Sequence, residues 1–119
     1  MKEHLKVLKA LSDKNRLRIM KMLEVKPMCV CEITAVLNLA PSTVSKHLSL
    51  LHDAELIDDQ KEGKWVNYSL PQKSRLPFVA ELLALLRRSL QADPEVQTDR
   101  EKAKTVDRVQ ICCPTLKVS

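Results

Sequence analysis

The chain has 119 residues, with 20 Lys and Arg against 15 Asp and Glu, a formal net charge of +5. That length excludes a second large catalytic domain, and the basic excess favours an anionic partner, nucleic acid or a membrane surface. A single glycine excludes the Gly-rich loops that cradle dinucleotides and phosphates, and three aromatics (Trp65, Tyr68, Phe78) argue against a single-strand binder that stacks bases on rings.

Leu5, Leu8 and Leu11 recur at helical spacing and predict a first helix over residues 3 to 11. Ser12 or Asp13 caps a second, whose apolar positions are Leu17, Met20 and Leu23. Beyond Pro27, a short third helix runs from about Cys29 to Leu37, and Asn38 suits the left-handed turn after it. Pro41 opens a fourth helix at the first helical position, where its missing N–H is no loss. Val44, Leu48 and Leu51 form its buried stripe, and Ser42, Thr43, Ser45, Lys46 and His47 the opposite face. Residues 56 to 60 and 65 to 70 then read as a β-hairpin around the turn 61–64, with Gly63 supplying the bend. A last helix from Pro77 to Leu90 is apolar on two sides, as expected of a helix that packs on its own core and on a second subunit. Residues 92–119 hold five basic and five acidic residues, so the whole +5 lies in residues 1–91. The chain therefore divides into a body over 1–91 and a tail over 92–119.

Mainly α with a small β-hairpin, in this order, is a winged helix-turn-helix: the polar-faced helix enters the major groove and the hairpin flanks it. Ser42, Thr43 and Ser45 are small hydroxyl residues that allow close approach to phosphates or base edges, and Lys46 reaches further. Lys61 and Lys64 at the hairpin tip suit a phosphate or the minor groove, and Arg16 and Arg18 suit the backbone. His47 is either a phosphate contact or an idle surface imidazole; His4 and His52 read as surface residues.

The four cysteines form two close pairs, Cys29 with Cys31 and Cys112 with Cys113. The N-terminus MKEHLKVLKA is no secretory signal, and the longest apolar run, Leu82 to Leu86, is far short of a membrane span. A cytoplasmic location is therefore expected, with no membrane partner, where paired cysteines are metal ligands or redox groups rather than staples. Taken alone, Cys29 and Cys31 read better as small buried apolar residues at a helix start than as ligands. On a helix, residues i and i+2 point about 200° apart. Binding one small ion with both would therefore distort the third helix and disturb the recognition helix behind it.

The chain resembles the ArsR/SmtB family of metal-responsive repressors over residues 3 to 91. The resemblance is carried by Leu11-Ser12-Asp13, Arg16-Leu17-Arg18-Ile19, Cys29-Val30-Cys31-Glu32-Ile33, Pro41-Ser42-Thr43-Val44-Ser45-Lys46-His47-Leu48 and Gly63-Lys64-Trp65-Val66-Asn67-Tyr68. It implies a homodimer formed through the first and last helices, bound to double-stranded operator DNA near its own promoter and released from it by a metal. It also implies that Cys29 and Cys31 are ligands. The match is nearest to the sensors of As(III) and Sb(III), although their third cysteine is replaced here by Thr34. The N-terminal cysteines of the cadmium and lead sensors have no counterpart beyond His4, nor do the Asp and His ligands of the zinc site on the last helix. Cys112 or Cys113 is then the obvious source of a third thiolate. The 22 steps along the chain from Leu90 to Cys112 span up to roughly 70 Å and exclude neither subunit.

Three thiolates suit As(III) or Sb(III), whose lone pair fills the fourth direction, whereas four suit tetrahedral Zn or Cd. No organic cofactor is expected. The resulting expectation is a repressor, not an enzyme, with As(III) or Sb(III) as inducer. Alternatives are the same reader sensing Cd, Pb, Zn or thiol oxidation, and, in another class, a small thiol oxidoreductase. The last lacks the Cys-x-x-Cys and parallel sheet that such enzymes use.

Overall fold

The computed structural model describes residues 1–107. In chain order they form α1 (Lys2–Leu11), α2 (Lys14–Leu23), β1 (Met28–Cys29), α3 (Val30–Leu37), α4 (Pro41–Asp53), β2 (Asp58–Glu62), β3 (Trp65–Ser69), α5 (Pro77–Arg88) and α6 (Pro94–Thr105). This is the expected winged helix-turn-helix, with two elements, β1 and α6, that the apolar periodicity does not announce.

The local chemistry sets the helix ends. Asp13 caps α2 by accepting the Arg16 N–H at 3.0 Å. Asn38 ends α3 in the left-handed conformation (φ 58°, ψ 44°), which leads the chain through Leu39 and Ala40 to Pro41 at the start of α4. The helix-turn-helix angle is thus set by one Asn and one Pro. Val44, Leu48 and Leu51 are fully buried, as their spacing requires, and pack with Ile19, Met20, Met22, Ile33, Leu56 and Ile57 in one core. The α4 helix lies against α1, α2 and α3.

The first strand of the hairpin lies two residues later than expected, while the second begins at Trp65 as read. Glu62 pairs with Trp65 and Lys61 with Val66, so the connection is only Gly63-Lys64 and Lys61 stands within a strand. Gly63, at φ 61°, supplies the positive dihedral that a two-residue turn needs to match the strand twist. The sheet has a third strand: β1 pairs antiparallel with β3, Met28 opposite Tyr68 and Cys29 opposite Asn67. Two residues carry no readable alternation, which is why β1 is silent in the sequence.

Residues 94–105, read as tail, form a helix that packs on α2 and α3 and buries Val96, Asp99 and Ala103. Charge holds it as much as apolar contact does. Arg18 grips Asp99 through two bonds (Nε–Oδ2 2.7 Å, Nη2–Oδ1 3.0 Å), and Arg100 donates to Glu24 at 2.8 Å and to the Lys21 carbonyl at 3.0 Å. Lys21, fully buried, donates to Glu24 and to the Leu86 carbonyl at 2.8 Å, tying the end of α5 to the same network. Apart from Val79, α5 has no fully buried residue, and Leu85 is 52% exposed. No helix among the described residues is long and apolar enough to cross a membrane.

Candidate nucleic-acid interface and thiol pair

The N-terminal turn of α4 presents Ser42, Thr43, Ser45 and Lys46 to solvent. Ala40, its N-cap residue, offers no side-chain cap, and the positive end of the helix dipole lies beside those hydroxyls. That is a natural seat for a phosphate. Lys64 is exposed in the hairpin turn and Lys61 on the adjoining strand.

The remaining candidates are engaged within the fold. Arg16 donates through Nε to the Ala10 carbonyl (2.6 Å) and through Nη2 to that of Lys9 (3.3 Å), closing the end of α1. Its Nη1 lies 3.2 Å from Nδ1 of His47, which is half-buried. Arg16 therefore fixes α4 against α1 and α2, and it meets the Nδ1 edge of the imidazole. Burial opposes ionisation of Asp13, but the Arg16 N–H and the charges of Arg16 and His47 outweigh it and hold the carboxyl below its ordinary value. Arg18, considered above for the DNA backbone, is committed to Asp99.

Cys29 and Cys31 sit at the junction of β1 and α3, where β1 pairs with β3 and α3 packs on α4. Cys29 is not helical: it is the N-cap of α3 with extended backbone (φ −90°, ψ 169°), held there by its strand pairing with β3. Cys31 is the second residue of α3. The divergence of two side chains on one regular helix therefore does not apply. The Cys29 sulfur accepts the Glu32 N–H while the Glu32 carboxylate accepts the Cys29 N–H at 3.0 Å, a capping box with sulfur in the place of a hydroxyl. Cys29 is buried and Cys31 half-exposed. Burial pushes the Cys29 thiol up, against the Glu32 N–H, and the Glu32 carboxylate adds to the rise.

Thr34, one turn beyond Cys31, has a buried hydroxyl with no hydrogen-bond partner among the described residues. Those residues gather no group of three or more His, Cys, Asp or Glu side chains for a metal, and Cys112 and Cys113 lie outside them. Two participants escaped the sequence reading. Glu32 was findable, because Cys-x-x-Glu before an apolar run is a capping-box pattern. Lys26, which touches Glu32 (3.8 Å) and the Val106 carbonyl (2.7 Å), was not, since its partners are set by the docking of a distant helix.

Residues 13–59 match the family model described as "Bacterial regulatory protein, arsR family". The chain is similar to the arsenical resistance operon repressor of Escherichia coli K12, 39% identical over 67 residues (56% of this chain, 57% of the relative). It is also similar to the arsenic resistance transcriptional regulator ArsR2 of Pseudomonas putida, 32% identical over 114 residues (90% and 95%). A cadmium resistance regulatory protein CadC homologue of Staphylococcus aureus is 41% identical over 66 residues (55% and 54%). The chain thus spans little more than half of the first and third of these relatives and nearly all of the second. Among solved structures, HlyU of Vibrio cholerae superposes with a TM-score of 0.61 at 31% identity, covering 72% of this chain and 89% of that one.

Proposed function

Since the chain belongs to the arsR family of bacterial regulatory proteins and is therefore a DNA-binding transcriptional repressor rather than an enzyme, we propose that it is an arsenite-responsive one. In this reading it binds operator DNA as a homodimer in the cytoplasm and leaves when As(III) or Sb(III) is captured by cysteine thiolates. Ser42, Thr43, Ser45 and Lys46, with His47 beside them, read the major groove, and Lys61 and Lys64 contact the flanking backbone. Arg16 acts through His47 by positioning α4. Cys29 and Cys31 are ligands, completed by Cys112 or Cys113. Leu5, Leu8 and Leu85, exposed on α1 and α5, lie in the dimer contact.

The observation that carries this reading is the place of Cys29. It pairs with the wing strand β3, and it caps α3, which packs on α4. A sulfur drawn to an ion can no longer accept the Glu32 N–H. Ion binding therefore removes half of the cap of α3 and pulls on the strand that supports the wing. One local change thereby acts on both DNA-facing elements, and operator affinity falls because the ion and the DNA favour different arrangements.

Thiol chemistry supports As(III) over a divalent ion. Arsenite enters as As(OH)3 and each hydroxide leaves as water with a thiol proton, so a buried, reluctant thiol such as Cys29 is a fit ligand. The cadmium-named relative and the softness of thiolate favour Cd(II), with Pb and Zn, as the second reading. Oxidation of the same thiols to a disulfide is the other signal this pair can carry. The test is operator binding with and without arsenite, under full reduction, by Cys29→Ser and Cys31→Ser. Each variant is expected to bind DNA as the native chain does and to stay bound when arsenite is added. Normal release by both single variants would remove the pair from the ligand set.

A further inference from the structure

We propose that Arg16 fixes His47 as a neutral imidazole whose Nε2–H donates to an acceptor of the operator, a phosphate oxygen or a purine N7. This assignment rests on the placement of α4 in the major groove and is independent of the arsenite signal. A guanidinium carries only N–H donors and no lone pair. Across the 3.2 Å between Arg16 Nη1 and His47 Nδ1, the arginine therefore donates and Nδ1 accepts. A ring nitrogen that accepts carries no proton, so the imidazole is neutral and its one N–H is at Nε2. A doubly protonated ring would instead turn an N–H, and a positive charge, toward the guanidinium.

The arginine is held in place from the other side. Asp13 Oδ2 accepts its backbone N–H at 3.0 Å, and its Nε and Nη2 are spent on the carbonyls of Ala10 (2.6 Å) and Lys9 (3.3 Å). Nη1 is what remains for α4, which makes Arg16 a positioning residue. Nε2 of His47, by contrast, bonds to none of the described residues, and it is not sealed in the core. Among those residues the buried side-chain polar atom without a partner is the Thr34 hydroxyl. His52 is the opposite case, since its Nε2 meets Asp59 Oδ1 at 3.1 Å and is already used. His47 thus keeps a donor of fixed identity beside Lys46. Such a donor rejects the amino groups of adenine and cytosine, which also donate. Being neutral, it expels no counterion when it meets a phosphate.

The experiment is a salt titration of operator binding by the full-length native, His47→Phe and His47→Gln chains. His47→Phe keeps a ring and removes the donor. It is expected to weaken binding about tenfold or more with the slope against log salt unchanged. His47→Gln returns an N–H near the place of Nε2 and is expected to recover most of that loss. A slope shallower by about 0.9 in His47→Phe would mean a charged ring on a phosphate and would overturn the neutral assignment. Native affinity in His47→Phe would overturn the donor role; if Lys46→Ala also binds normally, the placement of α4 in the groove falls with it. Operators with deazapurines lacking N7, or with single methylphosphonates, separate the two acceptors. The modification that weakens the native chain but not His47→Phe marks the atom contacted, and additive losses throughout would overturn the contact. Long-range proton–nitrogen spectra of nitrogen-15-labelled protein read the tautomer itself. Native His47 is expected to be protonated at Nε2 and bare at Nδ1, and a proton on Nδ1 would overturn the proposal. Arg16→Lys is expected to draw the two nitrogen shifts toward each other; unchanged shifts in the folded variant would remove Arg16 from its role.

Discussion

Cys29 is 2% exposed, so its thiolate is costly and a cation that needs it must first expel a proton. For Cd(II) or Zn(II) that proton is released to solvent, and affinity rises steeply with pH while the thiol remains below its raised pKa. For As(OH)3 the thiol protons leave as water, and no net proton is released. Calorimetry in two buffers of different ionisation enthalpy is expected to show the same arsenite enthalpy in both and a buffer-dependent one for Cd(II). A proton release of one per sulfur with arsenite would argue against the chemistry proposed. On the DNA side, Lys46 is exposed on the first turns of α4, with no side-chain hydrogen bond or ion pair to another of the described residues. Lys46→Ala is expected to weaken operator binding and to make its dependence on log salt shallower by about 0.9, the loss of one phosphate contact. An unchanged slope would take Lys46 out of the phosphate set.

At the scale of the element, α6 is the part held by charge. Val96 and Ala103 are a turn and more apart, and the buried place between them is Asp99 rather than an apolar residue. Asp99→Ala leaves Arg18 largely buried and unpaired, with an expected cost of about 3 kcal/mol; Arg18→Met in the same chain is expected to recover much of it. Denaturant unfolding of the native chain and these two variants checks this, and a cost under about 0.5 kcal/mol for the single change, the level of an exposed pair, would show that the latch is not formed. The same feature explains what the sequence could and could not tell. α1 to α5 were legible because their apolar spacings, Asp13, Asn38, Pro41 and Gly63 each fix a local choice. α6 was hidden because its stripe is completed by an ion pair whose other half lies on α2. β1 was hidden because two residues have no period. In the site, the exposed residues of α4 were legible as one face of a helix. The commitments of Arg16 and Arg18 were not, since only tertiary packing decides whether an arginine meets solvent or a carbonyl.

At the scale of the whole molecule, the apolar surface left uncovered is the part of the fold that asks for a partner. Leu5 and Leu8 on α1 are each 49% exposed and Leu85 on α5 is 52% exposed, in a chain whose α4, by contrast, buries its apolar stripe completely. The His4 and Phe78 rings meet at 4.3 Å and so join α1 to the start of α5. The proposed subunit contact draws on both helices. A dimer matters for reading DNA because two recognition helices at a fixed separation engage two half-sites, and a monomer forfeits the second set of contacts. Leu85→Glu places a charge in the proposed subunit contact, at a side chain that is 52% exposed and outside the core. It is expected to leave the far-ultraviolet spectrum and the denaturant midpoint of the monomer fold nearly unchanged. In sedimentation velocity the mass should fall from two chains to one, and operator affinity should drop at least tenfold. A variant that stays dimeric at micromolar concentration and binds operator normally would show that α5 is not in the subunit contact.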